Sequence, residues 1–595
     1  MGDPITLFGT DAARPSAQRF NTGRLSFELL DGGLHDIRFD NIEVIRAVTF
    51  PVRDRDWGTI GPRLDAAKIE ETATGLTLAW TAEFVNGGAR LRTSLVVTAS
   101  GNHLEVHATA RSDGDFETNR AGFTVLHPIA ASACPLTVEH SDGTAEDSHL
   151  PDRIEPWQPF MDIRTLTHTQ SGVVTRCQLR GDVFEMEDQR QWSDASFKTY
   201  NRPLAWPWPY RLRDDETLQQ SVSLSFTGDG QRAYAQDNVT LSVGALNGCR
   251  IPELALVVTP AEARELLSDV APLERIGLQR ITAHVDPETD DTDLAPFAQL
   301  RARLPLAVDL EYAARCDGDL DSEFTGLAEQ IQAANLPISS LFVCPSVDRQ
   351  STPPGSSWPD CPPLEDVHAA AARAFPNIPR GGGMLSYFTE FNRKRPPVGM
   401  LDFVAHGTNP IVHAADDRSV MQTLTALPWI LRSGQAIADG KPYRLGLSSI
   451  PMRQNPYGSR TIDNPENQRV CMGNSDPRHF AQFGAAFTLG YLAQIAPFGI
   501  EVWTPAAGSG PRGVCKDGNL TPLGDLLSRL SRLAGQPVRN VSVSEPEKAA
   551  ALATEKTLLL ANLTDGPIRM IIENGGEVRL GPYAIAEHPL SGPQE

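Results

Sequence analysis

The sequence lacks the features that mark several large classes of protein. Its eight cysteines are scattered, form no CxxC pair and have no histidine at zinc-ligand spacing. In a chain of 595 residues this pattern is typical of reduced, structural thiols, so we expect a cytoplasmic location. No GxGxxG or GxxxxGKS/T motif opens a helix, and we therefore expect no nucleotide and no other cofactor.

Membrane and nucleic-acid partners are also disfavoured. No apolar run has the length of a membrane span, and the first residues lack the basic start and apolar run of a secretory signal. The formal net charge of −21 argues against nucleic acid and anionic membranes, because both select basic patches. The expected partner is a small molecule, which local arginines can hold even if it is anionic.

The patterns that are present predict three domains. Short apolar runs separated by turns such as DGG and NGG fill residues 1–240 and predict an N-terminal β-sandwich. Residues 245–535 alternate strand-like and helix-like segments in about eight units, which is typical of a (β/α)₈ TIM barrel. Residues 537–595 return to short strands and predict a small C-terminal β-sandwich. The fold class is therefore multidomain β and α/β, with the barrel as the catalytic domain.

The segment Phe184–Tyr210 concentrates charge among aromatic residues. Aromatic faces beside carboxylates and guanidinium groups suit a polyhydroxylated ligand. The alternative is a buried salt-bridge cluster that holds two domains together. The substrate-binding candidates here are Glu185, Glu187, Asp188, Arg190 and Lys198.

The fifth barrel strand carries the strongest catalytic candidate. In GGGMLSYFTEFNRKRPP, strand alternation predicts that Ser386, Phe388 and Glu390 share one face, with Glu390 at the strand tip. Burial there would raise the pKa of a carboxyl toward neutrality, as a general base requires. Asn392 follows as a substrate-binding candidate. The alternative is that Glu390 forms a structural ion pair with Arg393.

Other strand ends add polar candidates. His406 and Asn409 follow the sixth strand as catalytic candidates, and further substrate-binding candidates are His413, Arg453 and Trp503. Two histidines seven residues apart are compatible with a metal, but their spacing matches no known ligand motif, and we predict none. On the third strand, Asp309 and Glu311 share a face. Either one of these two acids faces the site, or they form an internal ion pair with Arg315. The tips of strands four, six, seven and eight offer no second acid, which weakens a retaining glycosidase, since that mechanism needs two close carboxyls.

Long motifs identify a family resemblance. FEMEDQRQWSDASFKTY with PWPY, GGGMLSYFTEFNRKRPP, LDFVAHGTNPIVHA and RDRDWGT together resemble the bacterial D-apionate lactonase family, whose architecture is similar to that of clan-A glycoside hydrolases. The resemblance implies a carboxylic-ester hydrolase that converts D-apionolactone to D-apionate in D-apiose catabolism.

Lactone hydrolysis needs one base, donors for the oxyanion and a proton for the leaving alkoxide. On this hypothesis Glu390 is the base, and Asn409, Asn392 or His406 stabilises the oxyanion or returns the proton. One alternative is a clan-A glycoside hydrolase of a plant-derived pentoside or uronide, with Glu390 as acid/base and Glu311 or another acid as nucleophile. Another is a non-catalytic carbohydrate-binding protein.

Overall fold

The computed structural model describes residues 2–72, 75–230, 238–289, 291–458, 460–573 and 575–590. It confirms the predicted fold class, with an antiparallel β-domain, a closed parallel barrel and a small β-sandwich in that order. Among the described helices, none is long and apolar enough to cross a membrane.

The N-terminal domain is antiparallel and encloses one apolar core. Its hairpin between residues 76 and 100 shows why the sequence folds this way, because alternate side chains of LTLAWTAEFVN point inward and are at most 6% exposed. A short helix, α1 (Pro4–Phe8), precedes the domain. The strands are β1 Gln18–Thr22, β2 Leu25–Leu30, β3 Gly33–Phe39, β4 Ile42–Thr49, β5 Val52–Arg53, β6 Arg63–Leu64, β7 Lys68–Glu71, β8 Leu76–Asn86, β9 Ala89–Ser100, β10 His103–Asp113, β11 Phe116–Thr118, β12 Arg120–Ala121, β13 Thr124–Pro128, β14 Pro135–His140, β15 Ala145–His149, β16 Phe160–Gln170, β17 Val173–Arg180, β18 Phe184–Glu187, β19 Ser196–Asn201, β20 Tyr210–Leu212 and β21 Thr217–Gly228, and β22 Val239–Arg250 follows them.

The barrel closes through parallel pairing of β23 Glu253–Val258, β24 Arg280–Val285, β25 Ala307–Ala314, β26 Ser340–Pro345, β27 Arg380–Tyr387, β28 Phe403–Gly407, β29 Tyr443–Leu447 and β30 Val502–Ala507. The helices are α2 Pro260–Ser268, α3 Ala271–Ile276, α4 Ala295–Arg303, α5 Leu320–Ala333, α6 Leu364–Ala374, α7 Phe388–Lys394, α8 Asp417–Gln422, α9 Leu427–Ala438, α10 Gln482–Ile495 and α11 Pro522–Ser531. The first barrel helix, α2, starts at a capping box, in which the side chains of Thr259 and Glu262 each accept the other's backbone N–H. Short 3-10 turns lie at Ile129–Ala131, Gln189–Trp192, Ser346–Arg349, Val398–Met400, Thr423–Ala426, Pro477–Phe480, Ala496–Phe498 and Gly510–Arg512.

Ion pairs fill the lower end of the barrel interior. Arg280 pairs with Glu253 and, at 3.1 Å, with Asp309. Arg444 lies 3.7 Å from Asp309 and donates to Ser340 at 2.8 Å. Because these charges satisfy one another, the space for a ligand lies at the opposite end, where the strands finish.

The strand β22 joins the C-terminal sandwich, although it precedes the barrel in the chain. It pairs antiparallel with β33 Pro537–Val543 and parallel with β36 Ile568–Ile572. The remaining strands are β31 Cys515–Lys516, β32 Asn519–Leu520, β34 Ala549–Ala553, β35 Thr557–Asn562, β37 Gly576–Leu580 and β38 Ile585–Pro589. The predicted end of the N-terminal domain at residue 240 and the predicted start of the barrel at residue 245 thus both fall inside β22, whose partner strands lie some three hundred residues later in the chain.

Candidate active site

A small cavity opens at the C-terminal ends of the barrel strands. Its volume is about 10 Å³, which is room for about one water molecule. The lining residues are Leu385, Ser386, Tyr387, Thr408, Asn409, Leu447, Ser449, Pro451, Arg453 and Gln454. They come from the ends of strands five, six and seven, the face on which barrel enzymes place their chemistry.

A histidine–carboxylate–arginine triad adjoins this cavity. His284 and Glu311 are paired across β24 and β25, and the His284 Nδ1 lies 2.7 Å from the Glu311 Oε1. Arg453, which lines the cavity, donates to the same oxygen at 2.7 Å and also to the carbonyl of Leu385. Of the two acids that face the interior from the third strand, Asp309 lies at the lower end and Glu311 at the mouth. The cation of Glu311 is Arg453, while Arg315 pairs with Asp317.

The protonation state of Glu311 fixes the tautomer of His284. Burial opposes ionisation of Glu311, but Arg453 and His284 lower its pKa to about 2. An ionised carboxylate only accepts hydrogen bonds, so the His284 Nδ1 carries the donated proton. In the neutral imidazole, the Nε2 atom then has the free lone pair. It has no partner among the described residues and is not sealed from solvent, since the side chain is 13% exposed.

Glu390 lies elsewhere than the sequence predicts. The fifth strand ends at Tyr387, and Glu390 sits in the first turn of α7, so strand alternation does not place it on a face with Ser386. It is 3% exposed, accepts a hydrogen bond from Ser351, and pairs with Arg393 at 3.2 Å. Burial raises its pKa, although Arg393 opposes the shift. Glu390 is not among the residues that line the cavity, and its geometry matches the structural ion pair.

Two predicted residues face the helices instead of the mouth. His406 bonds to the Tyr443 hydroxyl at 2.5 Å and packs against Phe388, and burial lowers its pKa to about 4. Trp503 is 1% exposed and stacks on Tyr491 of α10 with ring centroids 5.3 Å apart. Neither side chain lines the cavity, so the structure does not bring His406 or Trp503 together with the other residues of the candidate site.

The two candidate asparagines are committed to the scaffold. Asn409 lines the cavity, but its amide donates to the carbonyls of Ser449 and Ile450, both at 3.1 Å. Asn392 donates to the carbonyl of Ile154 in the N-terminal domain at 3.1 Å. The two N–H groups of Asn409 are thus both used by the scaffold, while Asn392 is 1% exposed and does not line the cavity.

The segment Phe184–Tyr210 forms a wall beside the mouth. Its turn Gln189–Trp192 docks on α7, where the Thr389 hydroxyl donates to the carbonyl of Gln191 at 3.1 Å. Trp192 packs in one apolar cluster with Tyr387 and Met452, which belong to the barrel mouth. His413 also lies here, 2.7 Å from Asp194 and edge-on to Trp192.

The charged candidates of this wall are buried and paired with one another. Glu187 binds Lys198 at 2.6 Å and accepts from the Trp192 indole at 2.9 Å. Glu185 accepts from the Tyr200 hydroxyl at 2.6 Å. Arg190 and Asp188 form a pair at 2.6 Å in which both side chains are 0% exposed. This is the pattern of the salt-bridge cluster, not of groups that await a ligand.

A larger cleft lies beside the mouth, at the ends of strands two to four. Its volume is about 420 Å³. It is lined by Glu288, Arg315, Cys316, Asp317, Ser346, Val347, Asp360, Cys361 and Pro362. No three His, Cys, Asp or Glu side chains in the described part of the chain are placed to hold a metal ion.

Comparison with known proteins identifies the family. The D-apionate lactonase family models match residues 5–229 (N-terminal domain), 254–535 (TIM barrel domain) and 546–588 (C-terminal immunoglobulin-like domain). A D-apionate lactonase of Brucella anthropi is 44% identical over 601 residues, covering 98% of each chain. The chain belongs to the D-apionate lactonase family. The family models therefore cover both the barrel mouth and the wall beside it.

Solved structures resemble this family member only distantly. An α-galactosidase from Lactobacillus brevis is 11% identical with a TM-score of 0.29, and 92% of this chain and 88% of that chain are covered. A GH30 endoxylanase from Clostridium papyrosolvens C71 is 8% identical with a TM-score of 0.35, and 60% of this chain and 97% of that chain are covered. Similarities this low carry no conclusion about activity.

Proposed function

We propose that this chain hydrolyses a sugar lactone, converting D-apionolactone to D-apionate, as its Brucella anthropi relative is named to do. The observation that carries the proposal is 44% identity over 98% of both chains. The eight cysteines are unpaired thiols, which supports a reducing compartment, the cytoplasm.

We assign the base to His284 instead of Glu390. Its Nδ1 is held by Glu311, and its open Nε2 can take a proton from water. The resulting hydroxide adds to the lactone carbonyl carbon and gives a tetrahedral oxyanion. When the ring C–O bond breaks, protonated His284 returns the proton to the leaving oxygen, so one water is consumed and a hydroxy acid forms. Glu311 orients the ring and stabilises the transient imidazolium.

The surroundings suit a small polyol ester. The apolar side chains Val257, Leu447 and Ala507 cluster in the upper barrel, and Leu447 also lines the central cavity. The cavity itself holds about one water, while the adjoining cleft of about 420 Å³ has the volume for a sugar lactone. We therefore expect the substrate to enter over strands two to four, of which the second carries His284 and the third carries Glu311.

A glycoside hydrolase is less well supported. None of the ten residues lining the central cavity is an acid, and two of the three acids in the larger cleft are paired, Glu288 with Arg349 and Asp317 with Arg315. Glu311 is engaged by His284 and Arg453, while Glu390 is buried against Arg393. A retaining mechanism needs a free pair of carboxyls about 5 Å apart. The same triad also favours an enzyme over a non-catalytic binding protein, because an open nitrogen held by a carboxylate is the arrangement of a general base.

The variant His284→Asn tests the assignment. Asparagine keeps an N–H for Glu311 but removes Nε2, so we expect kcat for D-apionolactone, followed by pH-stat titration, to fall about 10²- to 10⁴-fold. His107→Asn is the matched control, since His107 pairs with Glu105 at 3.1 Å on the exposed surface of the N-terminal domain. Near-normal kcat in His284→Asn would refute the role of His284. Wild-type activity on nitrophenyl glycosides, with none on aldonolactones, would refute the proposed function.

A further inference from the structure

One cation at the barrel mouth has no anionic partner among the residues that the structure describes. Arg512 ends the turn Gly510–Arg512, which directly follows the eighth strand. Its side chain makes no ion pair or hydrogen bond within the described residues, and its Nε atom is buried without an acceptor. The terminal nitrogens also have no partner among the described residues, but they are not fully buried, so solvent or a ligand can reach them.

Other arginines in the barrel interior and mouth differ in this respect. Arg453 pairs with Glu311, Arg393 with Glu390, Arg349 with Asp286, and Arg280 and Arg444 both with Asp309. A charge withdrawn from water normally needs such a partner. Arg512 is therefore an uncompensated positive charge at the end of the barrel where the chemistry is placed.

Its electrostatic neighbours locate it beside the candidate site. Burial lowers the pKa of Arg512, Glu262 raises it, Arg453 lowers it and Tyr387 raises it. Arg453 and Tyr387 both line the central cavity. Glu262 does not neutralise Arg512, because it forms no ion pair with it and its carboxylate accepts the Thr259 N–H at 2.7 Å to cap α2.

We propose that Arg512 binds the carboxylate of the ring-opened product and the oxyanion that precedes it. This inference rests on the proposed function. The lactone is neutral, so negative charge first appears on the carbonyl oxygen when water adds. After the ring C–O bond breaks and the leaving oxygen takes the proton from His284, the new carboxylic acid loses its own proton to water, and the product carries the negative charge as a carboxylate. A preorganised guanidinium favours both charged species over the neutral substrate. Because Nε is buried, the two terminal nitrogens make the contact, in the parallel geometry that suits a carboxylate.

The test compares Arg512→Gln with Arg512→Lys. The first removes the charge and the second keeps it. A charged hydrogen bond corresponds to roughly a 10- to 150-fold effect, so we expect Arg512→Gln to lower kcat and to raise the inhibition constant for the aldonate D-erythronate by about that factor. Arg512→Lys should recover part of both losses. Inhibition by the neutral polyol erythritol should not change.

Controls separate this role from a structural one. Arg373→Gln is the matched control, because Arg373 lies on α6 of the same barrel, is exposed and pairs with Asp321 at 2.6 Å, and it should leave the inhibition constant for erythronate unchanged. Calorimetric titration with erythronate measures binding without turnover. An Arg512→Gln variant that binds erythronate as tightly as wild type overturns the inference. Wild-type protein that binds erythronate but hydrolyses no lactone overturns the proposed function and leaves Arg512 to be judged by the titration.

Discussion

Replacement of Lys198 by methionine tests whether the charged wall beside the barrel mouth is structural. Lys198 and Glu187 form an ion pair at 2.6 Å, with side chains 7% and 4% exposed. Burial raises the pKa of Glu187, but Lys198 and His413 bring it down to about 2, while burial lowers the pKa of Lys198 despite the attraction of Glu187. Each charge therefore tolerates burial only because the other is present.

The expected magnitude follows from this dependence. Removing one member of a buried pair leaves the other charge unpaired and costs about 3–5 kcal/mol. For a domain of about 150–250 residues, this corresponds to a fall of roughly 6–20 °C in the unfolding temperature of the N-terminal domain. The double variant Glu187→Gln/Lys198→Met removes both charges, so its unfolding temperature should return most of the way to that of wild type.

Calorimetry and lactone kinetics on the same variants decide the question. Lys548→Met is the matched control, because its pair with Glu545 at 3.3 Å is exposed and should cost less than about 1 kcal/mol. If the wall is structural, the double variant keeps the wild-type KM. If it is as stable as wild type but its KM rises tenfold or more, Glu187 and Lys198 contact the substrate and our conclusion is wrong.

Two further perturbations address other buried ionisable groups. Glu390→Gln should lower the free energy of unfolding by roughly 1.5–3 kcal/mol, because a charged hydrogen bond is lost, and should change kcat less than tenfold. A hundredfold loss of kcat at an unchanged unfolding temperature would instead support Glu390 as the base. Burial lowers the pKa of His168 and His406 to about 4, from the 6.5 of an exposed histidine. Above pH 6.5 these histidines are neutral in both the folded and the unfolded protein, so their contribution to the free energy of unfolding is complete. As the pH falls from 6.5 toward 4, the unfolded chain binds protons that the buried histidines do not, and the free energy of unfolding should fall by up to about 3 kcal/mol for each. An unfolding temperature that stays constant from pH 7 to 4 would contradict this.

The barrel was predictable from sequence because each strand and helix has its own local signal. The periodicity changes from alternating to helical in about eight successive units, and the capping box at Thr259 and Glu262 is a local helix start. By contrast, β22 gives no local sign that its partners are β33 and β36. Strand existence is a property of a few neighbouring residues, whereas pairing across three hundred residues is not.

The candidate site was harder to predict because it depends on which way each side chain points. The pairing register shifts between Gly383 and Tyr387 and again on either side of β30, so simple alternation cannot say which residues face the interior. For this reason the sequence pattern predicts His406 and Trp503 at the mouth, whereas in the structure both side chains face the helices. The predicted position of Glu390 differs for a related reason, since α7 begins directly after Tyr387 without a loop.

Composition also could not separate the two interpretations of Phe184–Tyr210. A ligand-binding wall and an internal salt-bridge cluster use the same residue types, and only the contacts distinguish them. His284 is the opposite case, because its neighbour Glu311 lies 27 residues away in sequence but directly across the strand pair. The register of adjacent parallel strands was the signal that would have joined them.

Tyr387 connects the wall to the proposed chemistry. Its ring packs with Trp192 of the wall, its side chain lines the central cavity, and its hydroxyl donates to the carbonyl of Gln454 at 3.0 Å. Gln454 follows Arg453, the residue that holds Glu311. The N-terminal domain therefore supports the loop after the seventh strand through Tyr387 and also directly, because Trp57 and Trp192 both pack on Tyr457 of that loop. The N-terminal domain can therefore support catalysis without any of its charged groups touching the substrate. By fixing this loop, the domain holds Arg453 against Glu311, and Glu311 in turn holds the ring of His284.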